Sequence, residues 1–254
     1  RHRGVEALER LLNSTTMLKE VLDSQAAAVT GRVWNASHGI GGGIGGLLDR
    51  VRKPLKGRDE ERIGRRMFQE GVRVGHPVVM IPGIITTGLE VWDGEACMKS
   101  YFRQRIWGSS SMLQSILSDP DCWVRHLALN STTGLDPLQR PDLNRSIRVR
   151  ASQGFESADF FVAGYWIWGI LIEALADIGY DINSMYMASF DWRLSFADLE
   201  GRDRYFTRLR QQIETLASMG GKKVVVVAHS MGSNVWHYFL QWVTHRVHPN
   251  WVHD

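Results

Sequence analysis

From His76 onward, short apolar runs alternate with stretches of helical spacing. Val78-Val-Met-Ile81, stopped by Pro82-Gly83, predicts a buried strand and a tight turn. Val124–Leu129 reads as a second strand, residues 158–176 as a helix, and Met185–Phe190 as a further strand. Between Asp203 and Ser218, Tyr205, Phe206, Leu209, Ile213 and Leu216 recur at helical spacing, and Gly220-Gly221 supplies a C-terminal stop. Val224-Val-Val-Val227 has the composition of a parallel strand buried on both faces, and Ser233–Thr244 follows as an apolar helix. Strands alternating with helices predict an α/β layer built on a mostly parallel sheet.

The first third reads differently. Residues 5–28 have the pattern of an amphipathic helix, with Val5, Leu8, Leu11, Leu12, Leu18, Val21 and Leu22 on one side. Gly39–Gly46 holds six glycines in eight residues, a flexible linker composition without the Lys-Ser/Thr of a phosphate loop. Arg50–Arg73 is rich in Arg and Lys and reads as a solvated face or linker, or as a contact to anionic lipid headgroups. The expected organisation is residues 1–75 as helix, linker and basic segment, and 76–254 as the α/β domain.

Composition narrows the class. With 254 residues, 44% hydrophobic and 22% charged, the chain is ordinary globular protein rather than a disordered or fibrous one. Its net charge of +3 comes from 14 basic and 9 acidic side chains in residues 1–75, set against 16 and 18 in the remainder. That balance makes no case for nucleic acid, and no such partner is expected. Ten Trp suit a protein that handles apolar or interfacial material, or a Trp-rich core. The most apolar stretch, Phe160–Ala176, carries Glu173 and is slightly short for a membrane span, so it reads as a buried helix.

Chemistry concentrates at Ala228-His229-Ser230-Met231-Gly232, between the four-valine strand and the apolar helix. Small-x-Ser-x-Gly in that setting is a nucleophile elbow: the turn is so tight that only small residues fit two before and two after the serine. Ser230 is the predicted nucleophile, with the start of the following helix aimed at a developing oxyanion. The second half of an oxyanion hole is expected after Pro82-Gly83, so the backbone amides of Met231 and Ile84 are the predicted donors. The competing reading of Pro82-Gly83 is an ordinary turn. Cys97 and Cys122 are compatible with a disulfide or with two buried thiols. The cysteines and nine histidines show no metal-ligand spacing, and no metal or diffusible cofactor is expected. Sequons at Asn13, Asn35, Asn130 and Asn144 permit a lumenal setting.

From His76 to Thr244 the chain resembles the phospholipid:diacylglycerol acyltransferases, within the lecithin:cholesterol acyltransferase-like family. The resemblance rests on Pro82-Gly-Ile-Ile-Thr-Thr-Gly-Leu-Glu-Val-Trp92, Phe102-Arg-Gln-Arg-Ile-Trp107, Thr133-Gly-Leu-Asp-Pro137, Gln153-Gly-Phe-Glu-Ser157, Ala163-Gly-Tyr-Trp-Ile-Trp168, Phe190-Asp-Trp-Arg193, Asp203-Arg-Tyr-Phe206 and His229-Ser-Met-Gly-Ser233. It implies an α/β-hydrolase core with a lid insertion over 92–125, closed by a Cys97–Cys122 disulfide. It places the nucleophile on Ser230 and the oxyanion amides on Met231 and Ile84. It implies acyl transfer from a phospholipid to diacylglycerol through an acyl-serine, at a membrane surface. The compartment it implies is the lumenal face of the endoplasmic reticulum, with a plastid as the alternative. Trp92, Trp107, Trp166 and Trp168 are candidates to line a dry acyl pocket, or are core aromatics.

A serine hydroxyl needs a histidine base oriented by a carboxylate, and in this fold both follow the serine in the chain. After Ser230 come His237, His245, His248, His253 and a single acid, Asp254. His237 falls two helical turns from Ser230, out of reach, while Asp191 and Asp198 precede the elbow. The catalytic Asp and His are therefore expected beyond residue 254, the sheet is expected to lack its last strands, and this portion alone is expected to be inactive or nearly so. Rival functions are a phospholipase or lipid acyl hydrolase using the same residues, and a non-catalytic lipid-binding product.

Overall fold

The computed structural model describes residues 62–140, 145–161 and 166–253. The helix expected over 5–28, the Gly39–Gly46 run and the sequons at Asn13, Asn35 and Asn144 lie outside the described residues. In chain order the elements are α1 (Ile63–Gln69), β1 (Val78–Ile81), β2 (Leu89–Asp93), a 3₁₀ turn (Ala96–Tyr101), β3 (Arg105–Trp107), α2 (Ser110–Ser118), α3 (Pro120–Leu127), β4 (Leu138–Arg140), β5 (Arg145–Ser146) and β6 (Arg148–Ala151). A second 3₁₀ turn (Phe155–Ser157) is followed by α4 (Trp168–Asp177), β7 (Met185–Met187), α5 (Phe196–Asp203), α6 (Tyr205–Gly220), β8 (Val225–Ala228) and α7 (Met231–Arg246).

The central sheet has the order β7-β1-β8, all parallel, with Val78 opposite both Met185 and Val225 and Ile81 opposite Ala228. Successive residues of β1 point to opposite faces. Val79 and Ile81 join Phe206, Leu209, Val235 and Phe239 under α6 and α7. Val78 and Met80 join Met185, Met187 and Trp168 under α4. Helices thus cover both faces, which is why all four β1 residues are apolar and buried. Each fully buried Val or Ile contributes about 1.5–3 kcal/mol of apolar transfer.

β2 lies between β3 and β6 in a separate antiparallel sheet, and β4 pairs with β5. Residues 92–125 carry the end of β2, the first 3₁₀ turn, β3, α2 and most of α3. Cys97 and Cys122 are joined by a disulfide within this segment.

Several local expectations are corrected. Val124–Leu129 is not a strand: its first four residues complete α3, which opens with Pro120 at its first position and with the Asp119 carboxylate accepting the Cys122 N–H at 2.9 Å. That start signal overrides the β-branched look of the segment. The helix expected over 158–176 begins at Trp168 instead. The Asp159 carbonyl accepts the amides of Ile167 and Gly169, and Phe160 bridges Trp166, so the chain loops before it turns helical. The strand expected over Met185–Phe190 ends at Met187. The four-valine strand is not buried on both faces: Val225 is 46% exposed, because among the described residues β8 has a neighbour on one edge only. The basic run is not solvated throughout. Arg62 pairs with Glu173 and Asp177 of α4 at 2.9 Å each, and a Cβ on Gly64 would strike the Ala174 carbonyl. Among the described residues, no helix is long and apolar enough to cross a membrane.

Candidate active site

Ser230 stands between β8 and α7 with φ 57° and ψ −128°, a positive-φ backbone conformation that non-glycine residues rarely adopt. Its side chain is exposed rather than sealed in the core. The cause is the crossing of helix and strand. Gly232 is buried, and a Cβ there would collide with the Ile81 and Pro82 carbonyl oxygens. The small residue after the serine therefore lets α7 pass over the end of β1, as the motif requires.

The loop leaving β1 comes up against this elbow. A Cβ on Gly83 would lie 2.8 Å from the Ser230 Cβ and 3.1 Å from its Oγ. Three side chains grip this loop. The Gly83 N–H donates to Thr86 Oγ1 at 2.8 Å, and Thr87 Oγ1 donates to the Gly83 carbonyl at 2.9 Å. Trp107 Nε1 donates to the Ile84 carbonyl at 2.9 Å. No hydrogen bond within the described residues engages the amide of Ile84 or that of Met231. The two amides expected as oxyanion donors thus have no acceptor among the described residues; Met231 follows Ser230 in the chain, and Ile84 follows Gly83, which backs onto Ser230.

The four tryptophans do not form one wall. Trp107 packs between Phe161 and Trp192, with ring centroids at 5.3 and 4.9 Å, and touches the Gly83–Thr87 loop through Ile84. Trp168 is 3% exposed in the core beneath the sheet, edge-on to His229 at 6.2 Å. Trp92 donates to Glu90 and meets Phe102 edge-on, and Trp166 packs on Phe160. A separate cavity of about 480 Å³ includes Trp92 together with Glu90, Arg150, Arg202, Arg204 and Arg208, and Ser230 is not among its lining residues.

Sequence reading missed two features. The first is the threonine grip; Thr86 and Thr87 three and four residues after Gly83 have the spacing of a local hydroxyl-to-backbone motif. The second is a buried ion network. Asp191, fully buried, accepts from Arg193 at 2.6 Å and from Arg202 at 2.7 Å, and Asp136 binds Arg150, Arg193 and Arg202. Arg193 also donates to the carbonyls of His126 and Val149, tying the chain after β7 to α3 and β6. Burial alone would push the Asp191 carboxyl up, but the Arg193 and Arg202 guanidiniums outweigh it and hold it below the usual range. Asp191 is therefore a structural anchor. Cys97, Cys122 and His126 lie close enough to suggest a metal site, but both sulfurs are spent in the disulfide.

The sequence model of the lecithin:cholesterol acyltransferase family matches residues 101–254. The chain is 50% identical over 200 residues to a phospholipid:diacylglycerol acyltransferase of Schizosaccharomyces pombe, covering 77% of this chain and 30% of that protein. It is 45% identical over 186 residues to the protein of that name in Saccharomyces cerevisiae, covering 71% of this chain and 27% of that protein. It is 30% identical over 184 residues to the human lysosomal phospholipase A and acyltransferase, covering 65% of this chain and 42% of that protein. The chain thus spans about 30% of the length of the first two relatives. On the family match, the chain belongs to the lecithin:cholesterol acyltransferase family.

Proposed function

We propose that this chain carries the nucleophile half of a serine acyltransferase that moves a fatty acyl group from a phospholipid to diacylglycerol. The observation that carries the reading is Ser230 held at φ 57° beside two amides, Met231 and Ile84, that no other group of the described residues occupies. Relatives at 45–50% identity named for this activity support the substrates.

In the proposed reaction Ser230 Oγ attacks the ester carbonyl while its proton passes to a histidine base. The Met231 and Ile84 amides stabilise the tetrahedral oxyanion. The lysophospholipid alkoxide leaves with that proton, and acyl-Ser230 remains. A diacylglycerol hydroxyl then attacks the acyl carbon, its proton passes to the base and on to Ser230 Oγ, and triacylglycerol departs. This portion alone is proposed to transfer little or nothing.

Residues 92–125, closed by the Cys97–Cys122 disulfide, are proposed as the lid. A disulfide persists in an oxidising compartment, which supports the lumenal face of the endoplasmic reticulum over the cytosol. Hydrolysis is the second reading, favoured by the exposure of Ser230 to water and by the phospholipase named among the relatives.

The test supplies the full-length gene product with acyl-labelled phospholipid and diacylglycerol. Labelled triacylglycerol, lost in Ser230→Ala, is expected. Free fatty acid in place of triacylglycerol selects the hydrolase, and turnover that survives Ser230→Ala overturns both.

A further inference from the structure

In the Gly83–Ile84 peptide the carbonyl and the N–H lie in one plane and point in opposite directions, since no peptide bond in the described residues is cis. Whatever holds the Gly83 oxygen therefore sets where the Ile84 N–H points. That oxygen accepts the Thr87 hydroxyl at 2.9 Å, and the Thr86 hydroxyl lies at 3.4 Å. Thr87 is fully buried and Thr86 is 2% exposed, so neither hydroxyl exchanges freely with water. The next carbonyl, Ile84, is tied to the Trp107 indole, which fixes the far side of the same residue. Ile84 itself is 38% exposed.

We infer that Thr87 is a positioning residue of the oxyanion hole: its hydroxyl holds the Gly83 carbonyl inward and thereby turns the Ile84 amide outward to the tetrahedral oxygen. Thr86 accepts the N–H of Gly83, in the preceding peptide, at 2.8 Å and so holds the other side of Gly83. Thr87 touches no reacting atom and acts only through the peptide. The inference rests on the proposed role of Ile84. It predicts an effect on the chemical step without an effect on lipid binding, because the amide is needed when charge develops on the oxygen.

The experiment compares Thr87→Val, which keeps the shape and removes the hydroxyl, with Thr87→Ser, which keeps the hydroxyl. Both are assayed in the full-length gene product for kcat, KM and the rate at which a fluorophosphonate labels Ser230. Thr87→Val is expected to lose about 10- to 100-fold in kcat and in labelling rate, less than removal of a donor outright, with KM within about twofold. Thr87→Ser is expected to recover to within about threefold of the parent. A folded Thr87→Val at the parental rate, a loss residing in KM, or a Thr87→Ser as slow as Thr87→Val overturns the inference. If Thr87→Val does not fold, Thr86→Val is measured instead; a fall of about threefold or more in kcat supports the inference and a parental rate overturns it. Ser230→Ala separates the levels. An active Ser230→Ala removes the site itself, whereas an inactive Ser230→Ala with an unimpaired Thr87→Val removes only the role of the threonine.

Discussion

Gly83 backs directly onto Ser230, so closely that any side chain there would displace the serine Cβ, 2.8 Å from where its own Cβ would lie. Gly83→Ala is therefore expected to leave the fold intact and move the hydroxyl. A displacement of about 1 Å at a reacting atom costs on the order of 100-fold in rate. Fluorophosphonate labelling of Ser230 should fall by that order, while the thermal midpoint stays within a few degrees of the parent. Unchanged labelling would show that the loop yields at no cost.

Gly232 has a different task. An added Cβ would meet backbone oxygens of Ile81 and Pro82, which cannot swing aside as a side-chain tip can. Gly232→Ala is expected to destabilise by about 1–3 kcal/mol, as overpacking does. Urea unfolding reads this directly, and a midpoint equal to the parent's would refute the close approach of α7 to β1.

Asp191→Asn removes one charge from a buried set and leaves Arg193 and Arg202 short of a counterion. Breaking a buried pair from one side costs about 3–5 kcal/mol. Because the Asp191 carboxyl is held below its ordinary value, the parent binds fewer protons folded than unfolded. Its contribution is complete above the unfolded carboxylate value of about 3.9 and is lost as pH falls through the lower folded value. The Asn variant should unfold at lower urea at pH 7, and should lose less than the parent on acidification below about pH 4.

Burial holds the His126 ring below its ordinary proton affinity. It is fully buried: its Nε2 accepts the Glu95 N–H at 3.1 Å and its Nδ1 lies 2.7 Å from the Cys122 carbonyl, which fixes a neutral ring. Burial lowers its proton affinity, while the Cys122 carbonyl and the Glu95 and Asp119 carboxylates oppose this and Arg125 adds to it. The unfolded chain therefore takes up a proton that the folded one refuses. Stability is expected to be full above about pH 6.5 and to decline as pH falls toward the depressed folded value. His126→Gln should flatten that decline in urea melts across the range. An equal slope in both proteins would sink the assignment.

The reach of the sequence follows the range of the forces involved. Val78–Ile81 and the helix around Leu209 and Ile213 were legible because burial on a regular element repeats with that element's own period. The elbow was legible because a sharp strand-to-helix turn forces small residues at fixed offsets from Ser230, and Gly232 meets that demand. Asp119-Pro120 held a start signal for α3 that the β-branched composition of its neighbours masked.

Partners distant in sequence were a different matter. The periodicity of β8 says that it belongs in a sheet, but only pairing decides that Val225 lies exposed at an edge. The residue types at Asp191, Arg193 and Arg202 are those of any charged surface, and they become a buried anchor only when β7, α5 and β6 converge. Thr87 is likewise one hydroxyl among many until the tertiary fold buries it against the Gly83 carbonyl and sets that peptide beside Ser230. Local sterics wrote the nucleophile's turn into the sequence. The direction of the amide that faces it depends on hydrogen bonds in three dimensions, which no spacing along the chain encodes.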